Sequence, residues 1–337
     1  MSPESRAAPP SAPPPAAGRG SSCRALDTDG DCGICHGDGY TTGAGADHAE
    51  ARLCPHLAAC SACRGSGWRR ARDADGYEIV EACELRALLH RIGLFNAAGI
   101  PAAFHTATLA GYDPRAGNQS EVRMRFADLQ KRLEAGVLPG GHLPPQTKGI
   151  GLSGPPGVGK THLLVAMARH LTLDLGVAVR FTDFARLLWS LKAGFSAGLG
   201  EAQLIQPLID VDVLVLDEMG KGRASEWEIG VLDALVCARY DRGLLTFFAT
   251  NFAFGAPDLT DYARAEAILK DSSGTSTETL SERVTDRIFS RLQAMCVLTP
   301  IQGDDRRPQT WTRPVGRTTG PIGARGTAPP PVQRRPG

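Results

Sequence analysis

The chain has 337 residues, 42% of them hydrophobic and 22% charged, with 37 basic against 36 acidic side chains. That composition is globular and excludes a fibrous or largely disordered chain. A net charge of +1 also excludes a whole-molecule pull toward polyanions, so any contact with nucleic acid has to come from local patches.

No apolar run approaches the roughly 18 to 20 residues needed to cross a bilayer. The start, Met1-Ser2-Pro3-Glu4, lacks the charged and apolar regions of an export signal. A cytoplasmic protein with no membrane partner is expected, built from one large domain and a small one.

Residues 1–22 are a disordered Pro/Ala-rich tail by this reading: six prolines and five alanines fall in the first twenty positions, too few core formers to offset the entropy of ordering. Residues 23–83 hold seven of the nine cysteines: Cys23, Cys32, Cys35, Cys54, Cys60, Cys63 and Cys83. In a reducing compartment such clustering points to metal and not to disulfides.

Within it, Cys32-Gly33-Ile34-Cys35-His36-Gly37-Asp38-Gly39 and Cys60-Ser61-Ala62-Cys63-Arg64-Gly65-Ser66-Gly67 are two copies of C-x-x-C-x-G-x-G. Each copy supplies half of a tetrahedral thiolate site, so Cys32, Cys35, Cys60 and Cys63 are expected to hold one structural zinc ion. Cys54, Cys83, His36 and His56 are alternatives for one of the four ligands, and a purely redox cluster is the competing reading. The motif resembles the zinc modules of DnaJ-type co-chaperones, and the likeness bears on the chemistry only.

Residues 84–147 form a helical linker region, with apolar positions at Leu85, Leu88, Leu89 and Ile92 and again at Val122, Phe126, Leu129 and Leu133. A Gly/Pro stretch from Gly136 to Pro145 closes it. From 148 to 300, short apolar runs alternate with helical segments, which predicts an α/β domain with a mainly parallel sheet. Its strands are expected at Ile150 to Ser153, Val177 to Thr182, Val211 to Leu216, Leu244 to Thr250 and Cys296 to Leu298. Residues 253–280 are read as an inserted polar loop. Residues 301–337, with seven arginines against two acids, are read as a disordered basic tail, solubilising or in contact with DNA phosphates.

The most specific feature is Gly154-Pro155-Pro156-Gly157-Val158-Gly159-Lys160-Thr161, which satisfies G-x-x-x-x-G-K-[ST] between an apolar strand and an apolar helix. Glycines let backbone N–H groups wrap phosphates, Lys160 reaches the β- and γ-phosphates, and the Thr161 hydroxyl coordinates Mg²⁺. These eight residues with His162 and Asp217 form the expected ATP site. Val213-Leu214-Val215-Leu216-Asp217-Glu218 reads as a buried strand that delivers Asp217 to the magnesium and Glu218 to the attacking water.

The Asp-Glu pair, with the strand ending in Thr250-Asn251, resembles the AAA+ ATPases. The resemblance implies that Asn251 helps position the water, although an Asn that merely caps the following turn fits as well. Arg283, Arg287 and Arg291 recur every four residues in a predicted helix from Leu280 to Leu292, alongside Val284, Ile288 and Leu292. In AAA+ assemblies one subunit lends an arginine to its neighbour's γ-phosphate. Arg287 is the expected finger, then Arg283, against a plainly solvated stripe.

A narrower likeness rests on Val211 to Gly220, Arg239-Tyr240, Ala249 to Phe252 and Glu282 to Ile288, together with Phe95 to Pro101 and Phe104 to Tyr112. These segments resemble the DnaC-type replicative helicase loaders and the IstB-like ATPase helpers of transposases. The resemblance covers residues 95 to 300 and implies a sheet order of 5-1-4-3-2, self-assembly on ATP, single-stranded DNA as ligand and a hexameric helicase, or a transposase, as partner. It also makes Lys192, Phe195, Lys221 and Arg223 candidates for DNA contact. An adaptor that recruits a client through its zinc module, with nucleotide as a switch, is the alternative of a different class.

Overall fold

The protein was analysed as a computed structural model, which describes residues 32–60, 62–137, 143–144, 147–255 and 278–306. The expected tail at 1–22, residues 256–277 of the polar insertion and residues 307–337 lie outside these. No described helix is long and apolar enough to cross a membrane.

Two antiparallel hairpins come first, β1 (Tyr40–Ala44) with β2 (Ala49–Leu53) and β3 (Trp68–Arg72) with β4 (Glu78–Ala82). The short helix α1 (Pro55–Ala58) lies between them. Helix α2 (Leu85–Ala97) buries Leu85, Leu88, Ile92 and Phe95, and α3 (Gln119–Gly136) buries Val122, Phe126, Leu129 and Leu133, as the 3.6-residue spacing predicts. These residues share one apolar core with Leu57 of the hairpin region and with Leu152, Leu164 and Val213 of the sheet domain. Within the expected linker region, α2 and α3 are therefore integral to the packed core. Asn96 accepts from the Ala51 amide at 2.7 Å and donates to its carbonyl at 3.0 Å, while the Phe181 amide donates to Ala98. The carboxyl end of α2 thus joins the first hairpin to the main sheet.

That sheet is built from β5 (Gly149–Ser153), β6 (Val179–Asp183), β7 (Val213–Asp217), β8 (Leu245–Thr250) and β9 (Cys296–Pro300), in the order β6-β7-β8-β5-β9, all parallel. Counted along this domain, it is the order 5-1-4-3-2 that the resemblance implies. Strands β5, β7 and β8 are buried along their whole length, the signature of a sheet covered on both faces. The covering helices are α4 (Lys160–Arg169), α5 (Phe184–Ser196), α6 (Glu201–Asp210), α7 (Glu226–Asp241), α8 (Leu280–Val284) and α9 (Asp286–Met295).

Arg239 is fully buried and serves the amino end of this sheet. Its guanidinium donates to the carbonyls of Leu208, Ile209, Val211, Asp212 and Leu245 and to the Thr246 hydroxyl, closing the turns that enter β7 and β8. Burial pulls its pKa down to about 10, so it stays charged at neutral pH.

Three expectations need correction. The predicted single helix from Leu280 to Leu292 breaks at Thr285, whose φ of 72° is in the region that β-branched residues avoid. The arginines therefore do not form one stripe. Residues 301–306, expected in the tail, are packed: Ile301 is fully buried and the segment runs against the glycine loop. The ends of the polar insertion are packed as well, with Phe254 and Leu280 both buried.

Candidate functional site

The parallel register aligns the carboxyl ends of the strands, pairing Ser153 with Thr250, Ser153 with Pro300, and Asp183 with Asp217. Residues following these ends converge on one edge, where an open α/β sheet places its ligand site. The loop from Gly154 to Gly159 leads from β5 into α4. Gly157 and Gly159 have φ of 88° and 97°, and a Cβ on Gly159 would stand 2.6 Å from the Tyr112 ring. Glycine is required there both for backbone conformation and for space.

Lys160 is buried, and its ammonium donates to the carbonyls of Gly154 at 2.6 Å and Pro155 at 2.8 Å. The Thr161 hydroxyl donates to Asp217 Oδ2 at 2.6 Å. A hydroxyl and a carboxylate so close together form a hard-oxygen pair suited to Mg²⁺. Burial raises the Asp217 pKa, which a bound cation would reverse.

Glu218 has φ of 52°, a conformation costing about 1–3 kcal/mol in a non-glycine residue, and such strain clusters at functional sites. Its carboxylate is ion-paired with Lys221 and stands beside Asp183. Burial raises the Asp183 pKa, and the Glu218 charge raises it further. Burial opposes ionisation of Glu218 too, but hydrogen bonds from Lys221 and Asp183 outweigh it and hold its pKa below the ordinary value. The two carboxyls are thus pushed apart, Glu218 toward the ionised form that a base needs and Asp183 away from it. Asn251 follows the carboxyl end of β8 with its side chain exposed. His162 contacts the Thr108 carbonyl at 2.9 Å through Nε2, and burial lowers its pKa, so the imidazole is neutral.

The two arginines occupy different settings. Arg283 donates to the carbonyls of Gly220 at 2.7 Å and Gly222 at 2.6 Å, pairs with Glu278 and covers the Phe252 ring at 4.5 Å. It fastens the loop after β7. Arg287 is 64% exposed, with Asp233 at 3.6 Å.

Of the candidate DNA-contacting residues, Lys192 lies 4.8 Å over the Trp227 ring and Phe195 meets that ring edge-on. Lys221 is engaged by Glu218, and the Arg223 amide donates to Glu228.

Three residues at this edge escaped sequence reasoning as site residues. Tyr112 donates its hydroxyl to the Val158 carbonyl at 2.8 Å. Arg306 donates its amide to the Gly157 carbonyl at 2.9 Å. The third is Asp183. A strand-end acid one strand away from Asp217 was a readable signal for Asp183; nothing in the local sequence of Arg306 tied it to the loop.

The cysteines do not assemble as expected. Cys32 and Cys35 gather with Cys54 and His56, while Cys60 and Cys63 gather with Cys83, the ligand atoms of each group lying within 4.8 Å of one another. The single four-thiolate site of Cys32, Cys35, Cys60 and Cys63 is therefore corrected to two separate clusters. Each C-x-x-C pair closes on the cysteine that follows its own hairpin, which lies nearer than the other pair. No disulfide joins the described cysteines. In the first cluster, amides of Cys35 and Ile34 hydrogen-bond the Cys32 sulfur and lower its pKa to about 6, so it is largely thiolate at neutral pH.

Residues 143–272 match the family model described as IstB-like ATP binding protein. The chain is 35% identical over 100 residues to the replicative helicase loader DnaC of Escherichia coli K12, covering 29% of this chain and 40% of the relative. It is 33% identical over 125 residues to the insertion sequence IS21 putative ATP-binding protein of Pseudomonas aeruginosa, covering 37% of this chain and 46% of that protein. The matched stretches span less than half of these curated relatives. Among solved structures, a crystal structure of the DnaC helicase loader aligns with 59% of this chain and 99% of its own, at 24% identity and a TM-score of 0.47. Residues 143–272 are thus similar to an IstB-like ATP-binding domain, and a stretch of 100 residues is similar to the DnaC loader.

Proposed function

We propose that this protein is an ATP-hydrolysing AAA+ protein that assembles on ATP and loads a hexameric replicative helicase onto single-stranded DNA. The observation that carries the ATPase reading is the contact between Thr161 and Asp217, with Lys160 inside the same loop and Glu218 at the next position. Thr161 and Asp217 would hold Mg²⁺, which supplies charge neutralisation at the phosphates when bound. Lys160 would exchange its loop carbonyls for phosphate oxygens. Glu218, kept ionised by Asp183 and Lys221, accepts the proton of the attacking water, and exposed Asn251 orients that water. Arg287, on the protein surface, is the finger offered to a neighbouring subunit.

The loader reading is supported by the similarity to DnaC. The similarity to the IS21 ATP-binding protein supports a second reading, an ATPase helper of a transposase. Glu218→Gln, which traps an ATP-bound assembly, separates them when the trapped protein is recovered from its own cells. Co-purifying replicative helicase establishes the loader. A transposase in its place establishes the helper. If neither is recovered and the native protein has no ATPase activity, the nucleotide-switched adaptor becomes the working description.

A further inference from the structure

We infer that residues 32–86 bind two zinc ions, one in each of two tandem copies of a single module. The inference is independent of the ATPase reading.

The two copies agree bond for bond. In the first, the His36 amide donates to Cys32, that of Asp38 to Cys35, that of Cys54 to Gly39 and that of Leu57 to Cys54. In the second, the Arg64 amide donates to Cys60, that of Ser66 to Cys63, that of Cys83 to Gly67 and that of Arg86 to Cys83. His36 and Arg64 both have φ of 51°, an unfavourable value for either residue, and Gly39 and Gly67 both have φ of 75°. Each copy then runs through a hairpin, Tyr40 paired with Leu53 in one and Trp68 with Ala82 in the other, and its third cysteine follows the second strand directly. A costly backbone conformation retained twice at the same motif position, each time wrapping a group of cysteines, points to a ligand common to both.

Distances in the first copy suit a tetrahedral ion. Zinc–sulfur bonds of about 2.3 Å place two sulfurs about 3.8 Å apart, and a sulfur about 3.6 Å from an imidazole nitrogen. Cys32 Sγ and Cys54 Sγ are 3.7 Å apart, and Cys35 Sγ is 3.9 Å from His56 Nδ1. Three thiolates and an imidazole select zinc and complete its shell.

The second copy departs at one position. His56 stands two residues after Cys54, and two residues after Cys83 stands Leu85, which is fully buried in the apolar core. Cys60, Cys63 and Cys83 gather there, so the second copy offers three thiolates to its ion without a counterpart of the His56 imidazole.

The test uses the full chain purified under reducing conditions, with zinc counted by mass spectrometry and its release followed with a chromogenic chelator. Two zinc ions per chain are expected in the native protein. Cys54→Ala and Cys83→Ala should each lose one ion and keep the other, and the variant carrying both changes should lose both. His56→Leu should speed the release of one ion and leave the other unchanged. One ion per chain, no ion, or loss of both ions from a folded single-cysteine variant would each overturn the inference. If a cysteine variant fails to fold by circular dichroism, the native stoichiometry and His56→Leu still decide.

Discussion

The guanidinium of Arg306 lies 3.9 Å above the ring of Tyr112, and from opposite sides of the sequence both residues fasten the glycine loop, Arg306 at Gly157 and Tyr112 at Val158. A double-mutant cycle of Tyr112→Leu and Arg306→Ala should give a coupling of about 0.5–1 kcal/mol in urea unfolding, the range for a half-exposed cation–π pair. Strict additivity would show that the stack contributes nothing.

Arg239 closes two turns through six contacts made by its three guanidinium nitrogens in a buried setting. Replacing it with Leu leaves several carbonyls without donors, each costing about 1–3 kcal/mol when buried. Arg239→Leu should lower stability by at least about 3 kcal/mol, read from the urea midpoint at constant slope. Arg242→Ala, which removes an exposed pairing with Asp210, should have almost no effect.

Lys160→Ala should abolish nucleotide binding measured by a fluorescent ATP analogue. Glu218→Gln should bind normally and hydrolyse about 10²–10⁴-fold more slowly, the range for loss of a general base. Equal loss of binding in both variants would mean that Glu218 holds the loop and takes no part in chemistry.

Arg287 and Arg283 should separate by readout. Arg283→Ala removes contacts to Gly220, Gly222, Glu278 and Phe252, and thermal unfolding should fall by several degrees. Arg287→Ala should leave the melting temperature nearly unchanged and lose ATPase activity. Mixing it with Lys160→Ala subunits should restore part of that activity, because an intact loop then meets an intact arginine across the interface.

Cys296 is completely buried at the start of β9, which pushes its thiol pKa up to about 12. It should escape iodoacetamide in the native protein at pH 8 and react only on unfolding, as mapped by peptide mass spectrometry. Labelling at the native-state rate of an exposed thiol would mean that β9 detaches readily.

Much of the nucleotide site was legible because it is local. The run from Gly154 to Thr161 carries its own turn chemistry, and the apolar strand ending in Asp217-Glu218 states its burial by hydropathy alone. The metal region was legible only in its ligand types. Two identical C-x-x-C motifs look like halves of one site until the hairpins fold and set each beside its own third cysteine. The arginine spacing predicted one helix, and Thr285 ended it by a local backbone conformation that side-chain periodicity does not encode.

Residue order alone thus determined the strands, the glycine loop, the carboxylates at the end of β7 and the paired C-x-x-C motifs, since each depends on neighbours within a few positions. Tertiary structure alone decided that Cys54 and His56 complete the first cluster, that Lys221 and Asp183 stand beside Glu218, that Arg283 turns inward while Arg287 faces solvent, and that Arg306 meets Tyr112. Those pairings join residues far apart in the chain, and their geometry exists only after the parallel sheet has aligned the strand ends and each hairpin has doubled back on its own knuckle.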